Sequence, residues 1–322
     1  MARRATFIKD LEKEGKELLL FDAGNSLFKP KDSPSPQERE KARLIALAYR
    51  RMGYQAVNVG SDDLSAGIEF LRELKGEIPL PLLSANLLDE KGGNPVFKTH
   101  VVLDLGGIRV GVFGLTSDIR QNEGGTSEGY FISNPIAAAK RVAAELGKDC
   151  HVIMGLSNLG SFKEYTNLVQ QVKGVRFIIG SGGSGGHHQT LRSDRGWETF
   201  LFQAYPKGQY LGRIDLKVLK GASDFADLSR KVNLERQISS IERQLDSYRK
   251  GTGRAGSIPQ DRKEEYIKKL EEFKKRSEDR LKELERDSRR NSTLIGTFIP
   301  LDEKVKDDPE MKELVDQFRK GS

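Results

Sequence analysis

Short apolar runs alternate with amphipathic segments over residues 1–220, and several of these runs end in a polar loop that contains glycine. A short continuous apolar run predicts a strand buried on both faces, and apolar residues at every third or fourth position predict a helix. The alternation therefore predicts a layered α/β domain. Ligands of such domains bind beyond the carboxyl ends of the strands. The candidate loops are DAGNS at 22–26, GSDDLS at 60–65, SNLGS at 157–161 and GSGGSGG at 180–186.

The helical pattern is clear in four segments, which end at glycine or another stop signal. We expect these helices at residues 3–15, 36–52, 134–147 and 162–173. The run ELLLFDAGNSLF predicts a buried strand that leads into a polar loop, and a β-hairpin is expected to turn at Gly106-Gly107.

The composition changes at Ser223, and half of residues 223–290 are charged. Apolar residues recur there every three or four positions in two stretches separated by GTGRAGSIP, which predicts an antiparallel helical hairpin with a coiled-coil seam. We expect the seam to bind a protein partner or a second copy of the chain. Its residues are Leu234, Ile238, Ile241, Leu245, Leu270, Phe273, Leu281 and Leu284. The predicted domain segments are 1–222, the inserted hairpin at 223–291, and 292–322, which returns to the first domain.

The whole-chain composition excludes several classes of protein. Cys150 is the single cysteine, so an internal disulfide and a Cys-based zinc cluster are ruled out. No apolar run reaches about 18 residues, so no membrane span is expected, and the N-terminus shows no signal-peptide pattern. The net charge of +7 permits binding to anionic surfaces. Nucleic acid is nevertheless an unexpected partner, because the hairpin has mixed-sign charge and few aromatic residues.

Several long segments resemble, in order and spacing, the catalytic domain of bacterial 5′-nucleotidases and related metallophosphoesterases. They are ELLLFDAGNSLF, YQAVNVGSDDLSAGIEFLRELK, PLPLLSANLLDEKGGNPVFKTHVVLDLGGIRVGVFGLTS and GQYLGRIDLKV. IPLDEKVKDDPEMKELVDQF resembles the segment that follows that domain. The resemblance covers most of residues 3–220 and 294–318, and the hairpin lies outside it. It implies an α/β fold, a two-sheet α/β/β/α metallophosphoesterase-like sandwich with the antiparallel helical hairpin inserted.

Members of that family hydrolyse phosphate esters with two divalent metal ions. The resemblance implies where the metal ligands would fall in this chain. The Gly-Asp motif falls on Gly24-Asn25, and the Gly-Asn-His-Glu motif falls on residues 60–63. Asn158 occupies the position of the family's isolated His, and residues 181–184 occupy the position of its Gly-His-x-His motif. The Asp-x-His strand would precede residue 3, so either the chain is truncated or that strand was never there.

By this resemblance, the vestigial cleft consists of three aspartates and four neutral residues: Asp22, Asn25, Ser61, Asp62, Asp63, Asn158 and Ser184. Asn and Ser are weak neutral donors that offset little of the charge of two metal ions. No metal cofactor is therefore expected. Weak candidates for holding one hard cation are Asp62, Asp63, His187 and His188. The alternative is that Asp63 caps the helix that starts near Ser65, Asp62 is solvated, and the two histidines are a loop pair.

The glycine-rich loop offers a second candidate site. Backbone N–H groups of Gly182, Gly183, Ser184 and Gly185 could cradle an anion or another ligand. The loop lacks the Lys-Ser/Thr pair of a P-loop and precedes strands rather than a helix. A flexible loop is the competing interpretation, with weak nucleotide or phosphate binding as the alternative.

These observations predict a degenerate 5′-nucleotidase-like domain that is non-catalytic and acts as a binding or assembly module. The alternative is a divergent metal-dependent hydrolase of phosphate esters or nucleotides. The resemblance further implies a periplasmic or other extracytoplasmic location.

Overall fold

The computed structural model of the chain describes residues 1–29, 33–117, 129–181, 185–205, 208–219, 224–250 and 260–321. The chain divides into two compact units. One consists of Met1–Gly212 with Phe298–Ser322, and the other is Arg213–Thr297. The prediction of three domain segments divided after residues 222 and 291 stays a prediction.

The helices begin and end close to the sequence-based expectations. They are α1 Ala2–Lys13, α2 Pro36–Arg51, α3 Ile68–Glu77, α4 Pro135–Leu146, α5 Phe162–Gln171, α6 Lys231–Lys250, α7 Gln260–Ser288 and α8 Pro309–Gly321. Local signals account for two of the starts. The Ser35 side chain and Glu38 form a capping box at α2, and Asn134 accepts from two backbone N–H groups at the start of α4. None of the helices in the described residues is long and apolar enough to cross a membrane.

The strands are short on average, and most fall where apolar runs predict them; β10 and β13 were not predicted, because HHQTLR is mostly polar and FAD lies within the predicted hairpin segment. They are β1 Phe21–Asp22, β2 Ala56–Asn58, β3 Leu82–Leu83, β4 Leu87–Asp89, β5 His100–Leu105, β6 Ile108–Leu115, β7 Tyr130–Ile132, β8 Val152–Ser157, β9 Phe177–Gly180, β10 His187–Arg192, β11 Glu198–Gln203, β12 Tyr210–Lys217, β13 Phe225–Asp227 and β14 Ser292–Pro300. The hairpin between β5 and β6 turns at Gly106-Gly107, as expected, and both glycines have positive φ.

Two sheets form the centre of the first unit. β1, β2 and β3 pair in that order and run parallel. The larger sheet has the order β10-β11-β9-β8-β6-β5, in which the four inner strands are parallel and β10 and β5 are antiparallel to their neighbours. The sheets meet where Asn58 of β2 donates a hydrogen bond to the carbonyl of Leu115 of β6, at 2.8 Å.

Helices cover the outer faces of both sheets. One core cluster joins α1, α2, α3 and α8 to the three-stranded sheet, with Tyr49, Leu71 and Val57 among its members. The other joins α4 and α5 to the six-stranded sheet, with Val142 and Tyr165 among its members. The order helices, sheet, sheet, helices confirms the predicted α/β/β/α sandwich.

Strand β1 differs from the expectation of a buried strand. Only Phe21 and Asp22 are regular, and the whole apolar run from Leu18 to Phe21 is half-buried. β1 is the outer strand of its sheet, whereas β2 beside it is buried at every position. No described strand lies on the far side of β1, which explains its exposure, whereas the other outer strand, β3, is buried and also bridges Lys98.

The second unit contains the helix pair. Three cross-helix ion pairs show that α6 and α7 run antiparallel, as predicted: Lys231 with Glu285 at 3.0 Å, Glu242 with Lys274 at 2.8 Å, and Arg249 with Glu271 at 2.6 Å. Strand β13 pairs in parallel with β14 and packs against α7. Residues 251–259, between the two helices, lie outside the described residues.

Candidate functional site

Three of the predicted loops meet at the carboxyl ends of the strands. The side-chain Oδ1 of Asn25, after β1, accepts hydrogen bonds from the backbone N–H of Asp62 at 3.0 Å and from Nδ2 of Asn158 at 3.3 Å. Asn158, after β8, also donates to Ser61 Oγ at 3.1 Å. Asn25, Ser61, Asp63 and Asn158 are called the strand-end cluster below.

The backbone brings Asn25 unusually close to the loop after β2. Asn25 has a φ of 61°, and Gly24 before it has a φ of 101°. Asn is one of the few side chains that adopt this left-handed conformation readily. A Cβ added at Gly60 would lie 2.0 Å from Asn25 Oδ1 and 2.4 Å from its backbone nitrogen. Glycine at position 60 therefore makes the contact between the two loops possible.

The Asp63 carboxylate holds the same two loops together. It accepts backbone N–H bonds from Leu27 at 2.9 Å, from Asn25 at 2.8 Å and from Gly60 at 2.9 Å. Asp63 is only 2% exposed. Burial raises the pKa of Asp63 to about 7, although the three N–H groups favour the ionised form.

The expectation that Asp63 caps the following helix is wrong. Its carboxylate binds the loop after β1 instead, and α3 begins at Ile68 with Gly67 as its N-cap. Asp62 is half-buried in the short 3-10 turn Asp62–Ala66, rather than solvated. Local sequence spacing favours a cap, but the bonds to Asn25 and Leu27 join residues almost 40 positions apart.

Asp22 lies at the start of this region and is held by different groups. Its carboxylate accepts from the Tyr49 hydroxyl at 2.8 Å and from the Gly24 N–H at 2.9 Å. Burial and the nearby Asp22 raise the pKa of the Tyr49 hydroxyl well above its ordinary value, so the hydroxyl stays a donor. Arg4 in turn donates to the hydroxyls of Tyr49 and Tyr54.

Two buried polar residues that the sequence analysis did not select connect the cluster to the sheets. Asn58 is fully buried and donates to the carbonyls of Ala23 and Leu115. Ser117, also fully buried, donates its backbone N–H to Asn158 Oδ1 at 2.8 Å. The sequence signal that could have identified Asn58 is its polar side chain in the otherwise apolar strand AVN, because a buried amide needs hydrogen-bond partners.

The residues of the strand-end cluster do not fit a pair of divalent metal ions. Both carboxylate oxygens of Asp63 and the acceptor oxygen of Asn25 are already used within the protein. Two such ions need several anionic or imidazole ligands, and positions 25, 61 and 158 supply amides and a hydroxyl.

The weak single-cation candidates are not gathered into one site. No group of three or more His, Cys, Asp or Glu residues within the described part of the chain could hold a metal ion. The alternative that the two histidines are a loop pair is wrong, because they are the first two residues of strand β10. His187 is exposed, and the ring of His188 stacks on Phe202 with 4.2 Å between centroids. Metal binding by Asp62, Asp63, His187 and His188 stays a prediction.

The glycine-rich loop is described only in part. Gly182, Gly183 and Ser184 lie outside the described residues, and Gly185 is half-buried. Ser181, just before the gap, donates its hydroxyl to the carbonyl of Ala23 at 3.4 Å, so this loop starts beside the loop after β1. Anion binding at the loop stays a prediction.

Most of the predicted partner-binding seam lies between α6 and α7. Ile241 and Leu245 are buried, and Leu234, Ile238, Leu270, Leu281 and Leu284 are half-buried. Phe273 is the exposed residue of the predicted set, with 48% of its surface accessible. The seam therefore joins the two helices, and its binding of a partner stays a prediction.

Comparison with known proteins is consistent with this architecture. The 5′-nucleotidase of Vibrio cholerae is 25% identical over 272 residues, which cover 74% of this chain and 48% of that protein. Protein UshA of Yersinia enterocolitica is 24% identical over 278 residues, which cover 75% of this chain and 50% of that protein. The chain thus spans about half the length of the curated relatives it matches. No family model matches the chain.

Solved structures give the same result at the level of the fold. The 5′-nucleotidase precursor from Thermus thermophilus superposes with a TM-score of 0.64 at 17% identity, over 99% of this chain and 52% of that one. The calcineurin-like phosphoesterase YfkN from Bacillus subtilis also gives 0.64, at 14% identity, over 100% of this chain and 88% of that one. The chain is thus similar in sequence to 5′-nucleotidases, and its fold is similar to those of a 5′-nucleotidase precursor and a calcineurin-like phosphoesterase.

Proposed function

We propose that this domain is non-catalytic and serves as a binding or assembly module. The observation that carries the proposal is the strand-end cluster, in which Asn158 donates hydrogen bonds to both Asn25 and Ser61. Asp63, which falls on the last position of the Gly-Asn-His-Glu motif of the resemblance, accepts three backbone N–H bonds.

The chemistry of two-metal hydrolysis explains why this arrangement matters. Two closely spaced cations stabilise the attacking and leaving oxygens, and they need a carboxylate that bridges them. Position 25, where the resemblance places that carboxylate, holds a neutral amide. Mutation of residues that only hydrogen-bond to the metal ligands typically lowers metal affinity by about 10–100-fold. Replacement of the ligands themselves should cost more.

The helix pair in the second unit supports the binding part of the proposal. It is long, and Tyr266 and Phe273 on α7 are exposed aromatic residues. Exposed aromatic side chains are enriched at protein interfaces. We further propose a periplasmic or other extracytoplasmic location, on the strength of the resemblance to 5′-nucleotidases.

Metal content and turnover test the proposal directly. The purified chain is incubated with manganese, zinc or magnesium and desalted, and its metal content is measured by mass spectrometry. Hydrolysis of an aryl phosphate and of AMP is followed in the same samples. We expect no stoichiometric metal and no turnover above the buffer rate.

The Asp62→Ala variant separates intrinsic activity from a contaminating phosphatase. A contaminant would hydrolyse both substrates equally in the wild-type and variant preparations. Stoichiometric metal together with turnover that Asp62→Ala abolishes would show instead that the domain is a divergent metal-dependent phosphoester hydrolase.

A further inference from the structure

One face of α7 carries four cationic and two aromatic side chains. They follow one another at spacings of three and four positions, so they form a row along the helix. All six are exposed: Arg262, Tyr266, Lys269, Phe273, Arg276 and Arg280. At 1.5 Å and 100° per residue the row is about 27 Å long and about 80° wide. These six residues are called the cationic row below.

Most of the charge of the cationic row is not offset within the chain. The ion pairs between α6 and α7 use other positions of α7. Lys269 of the row pairs with Glu265 of its own helix. The three arginines of the row form no ion pair within the described part of the chain. The row therefore presents three unpaired guanidinium groups to an outside partner.

The adjoining side of α6 adds no charge to this face. The Tyr248 ring of α6 lies 4.9 Å from the Tyr266 ring, centroid to centroid, which identifies that side. Gln244 and Gln237 precede Tyr248 by about one and three helical turns, so they lie along the same side. The other flank of the row carries the acidic residues Glu265, Glu272 and Asp279. The cationic row thus borders a neutral surface on one side and an acidic one on the other.

The side chains of the row suit a surface in which phosphate groups lie above an apolar layer. Arginine presents a planar fork of N–H donors that matches phosphate oxygens. Tyr266 is 44% exposed and Phe273 is 48% exposed. Aromatic rings settle at the level of lipid headgroups, and the methylene stems of Lys and Arg cover apolar surface beside them.

We infer that the cationic row binds the surface of an anionic phospholipid membrane, with α7 parallel to the membrane plane. This inference rests on the binding role proposed above. A straight row on one side of a helix brings all of its side chains to a flat surface at once. Each Lys or Arg held near an anionic membrane strengthens binding by about fivefold. The two rings add apolar contact between the cations.

Nucleic acids also offer phosphate groups, but the geometry of the row favours lipid. Proteins bind single strands in a positively charged groove whose aromatic rings stack on the bases. The cationic row lies on the convex outer side of a helix, and Tyr248 already lies against the Tyr266 ring. The proposed extracytoplasmic location also brings the chain close to phospholipid surfaces.

Flotation of the full chain with lipid vesicles tests the inference. Vesicles of phosphatidylcholine with about one third phosphatidylglycerol are compared with vesicles of phosphatidylcholine alone. We expect binding to the anionic vesicles only. Their affinity should fall at least about tenfold between about 0.05 and about 0.5 M salt, because salt screens exposed charges.

Two charge reversals of equal size separate the row from the net charge of the chain. Arg276→Glu with Arg280→Glu should weaken binding to the anionic vesicles at least about tenfold. Lys268→Glu with Lys275→Glu is the matched control, because both lysines are exposed on α7 outside the row. It should weaken binding less than about threefold. Circular dichroism checks the helix content of both variants.

Phe273→Trp tests whether the rings reach the lipid. Trp197 is the single natural tryptophan, so its emission is subtracted by using the wild-type chain. The emission of the added tryptophan should shift to shorter wavelength with anionic vesicles. Phe162→Trp is the control, because Phe162 on α5 is 53% exposed and lies outside the row. Its emission should not shift.

No binding to anionic vesicles, equal losses in the two charge reversals, or an unshifted tryptophan at position 273 would each overturn the inference. Tighter binding to a fluorescent single-stranded oligonucleotide than to the anionic vesicles would overturn it in favour of nucleic acid. Metal content and turnover are measured on the same samples. An inactive, metal-free chain that leaves the vesicles unbound would refute the membrane contact and leave the non-catalytic assignment standing.

Discussion

In the 3-10 turn after β2, the Asp63 carboxylate is almost fully buried and accepts three backbone N–H bonds. Burial raises its pKa to about 7 in the fold, whereas an unfolded aspartate titrates near about 3.9. At a pH between these two pKa values, the folded chain binds one more proton than the unfolded chain does. The contribution of Asp63 to stability should therefore fall by roughly 1 kcal/mol per pH unit as the pH rises from about 4 to about 7, and then level off.

Urea denaturation at a series of pH values measures this slope. The Asp63→Asn variant is less stable, because its amide NH₂ cannot accept one or two of the backbone bonds, but it lacks the titrating group. We expect its stability to depend less on pH over the same window. A wild-type stability that rises through pH 7, or an equal slope in both proteins, would contradict the assignment of this titration to Asp63.

Asn158 is the second residue on which the strand-end cluster depends. Asn158→Ala would remove the bonds to Asn25 and Ser61 and leave the buried N–H of Ser117 without its acceptor. The expected loss of unfolding free energy is about 1–3 kcal/mol, measured by chemical denaturation. Asn167→Ala is the control, because the Asn167 amide is exposed on α5. Its effect should stay within about 0.5 kcal/mol, and equal losses in the two variants would contradict the role of Asn158.

Among the elements, the loop after β2 depends on the absence of a side chain at position 60. Gly60→Ala would place a methyl group 2.0 Å from Asn25 Oδ1, so the two loops would have to separate. We expect a loss of about 3 kcal/mol or more and a lower melting temperature.

Gly76→Ala is the matched control for this change. Gly76 lies in α3, and an added Cβ would have nothing within 4 Å. Alanine favours a helix over glycine by about 0.5–1 kcal/mol, so this variant should melt higher than wild type. A lower melting temperature of Gly60→Ala together with a higher one of Gly76→Ala supports the contact between the loops, and a tolerated alanine at position 60 would argue against it.

The elements also show what the sequence could predict. The helices α2 and α4 were predictable because their caps and apolar spacing are local signals, and the two-sheet architecture followed from the resemblance. The exposure of β1 depends on which strand is outermost in the sheet, which the apolar run ELLLFD does not encode. The role of Asp63 was missed for a similar reason, since its partners Asn25 and Leu27 are distant in sequence.

At the scale of the whole molecule, burial is distributed unevenly between the two units. Every residue of β8 is buried, whereas α6 buries Ile241 and Leu245 alone. Opening free energies are lowest where few apolar side chains are buried. The amides in the middle of α6 and α7 should therefore exchange with solvent at least about tenfold faster than those of β8 and β9.

Hydrogen exchange followed by mass spectrometry measures this difference in the intact chain. The comparison uses peptides from the same digest, so both regions experience the same temperature and pH. Protection of α6 and α7 equal to that of β8 would contradict the expectation.

The close approach of Gly60 to Asn25 has a consequence for how such chains can diverge. Asn25 donates its backbone N–H to Asp63, and its side chain accepts from Asn158, so a change at one position alters what the other two must supply. A carboxylate at position 25 would lie beside that of Asp63 and would repel it unless a cation lay between them. We therefore expect positions 25, 60, 61 and 158 to covary among homologous sequences, with acidic residues at 25 accompanied by metal-binding residues at 61 and 158. An alignment in which these positions vary independently would contradict this expectation.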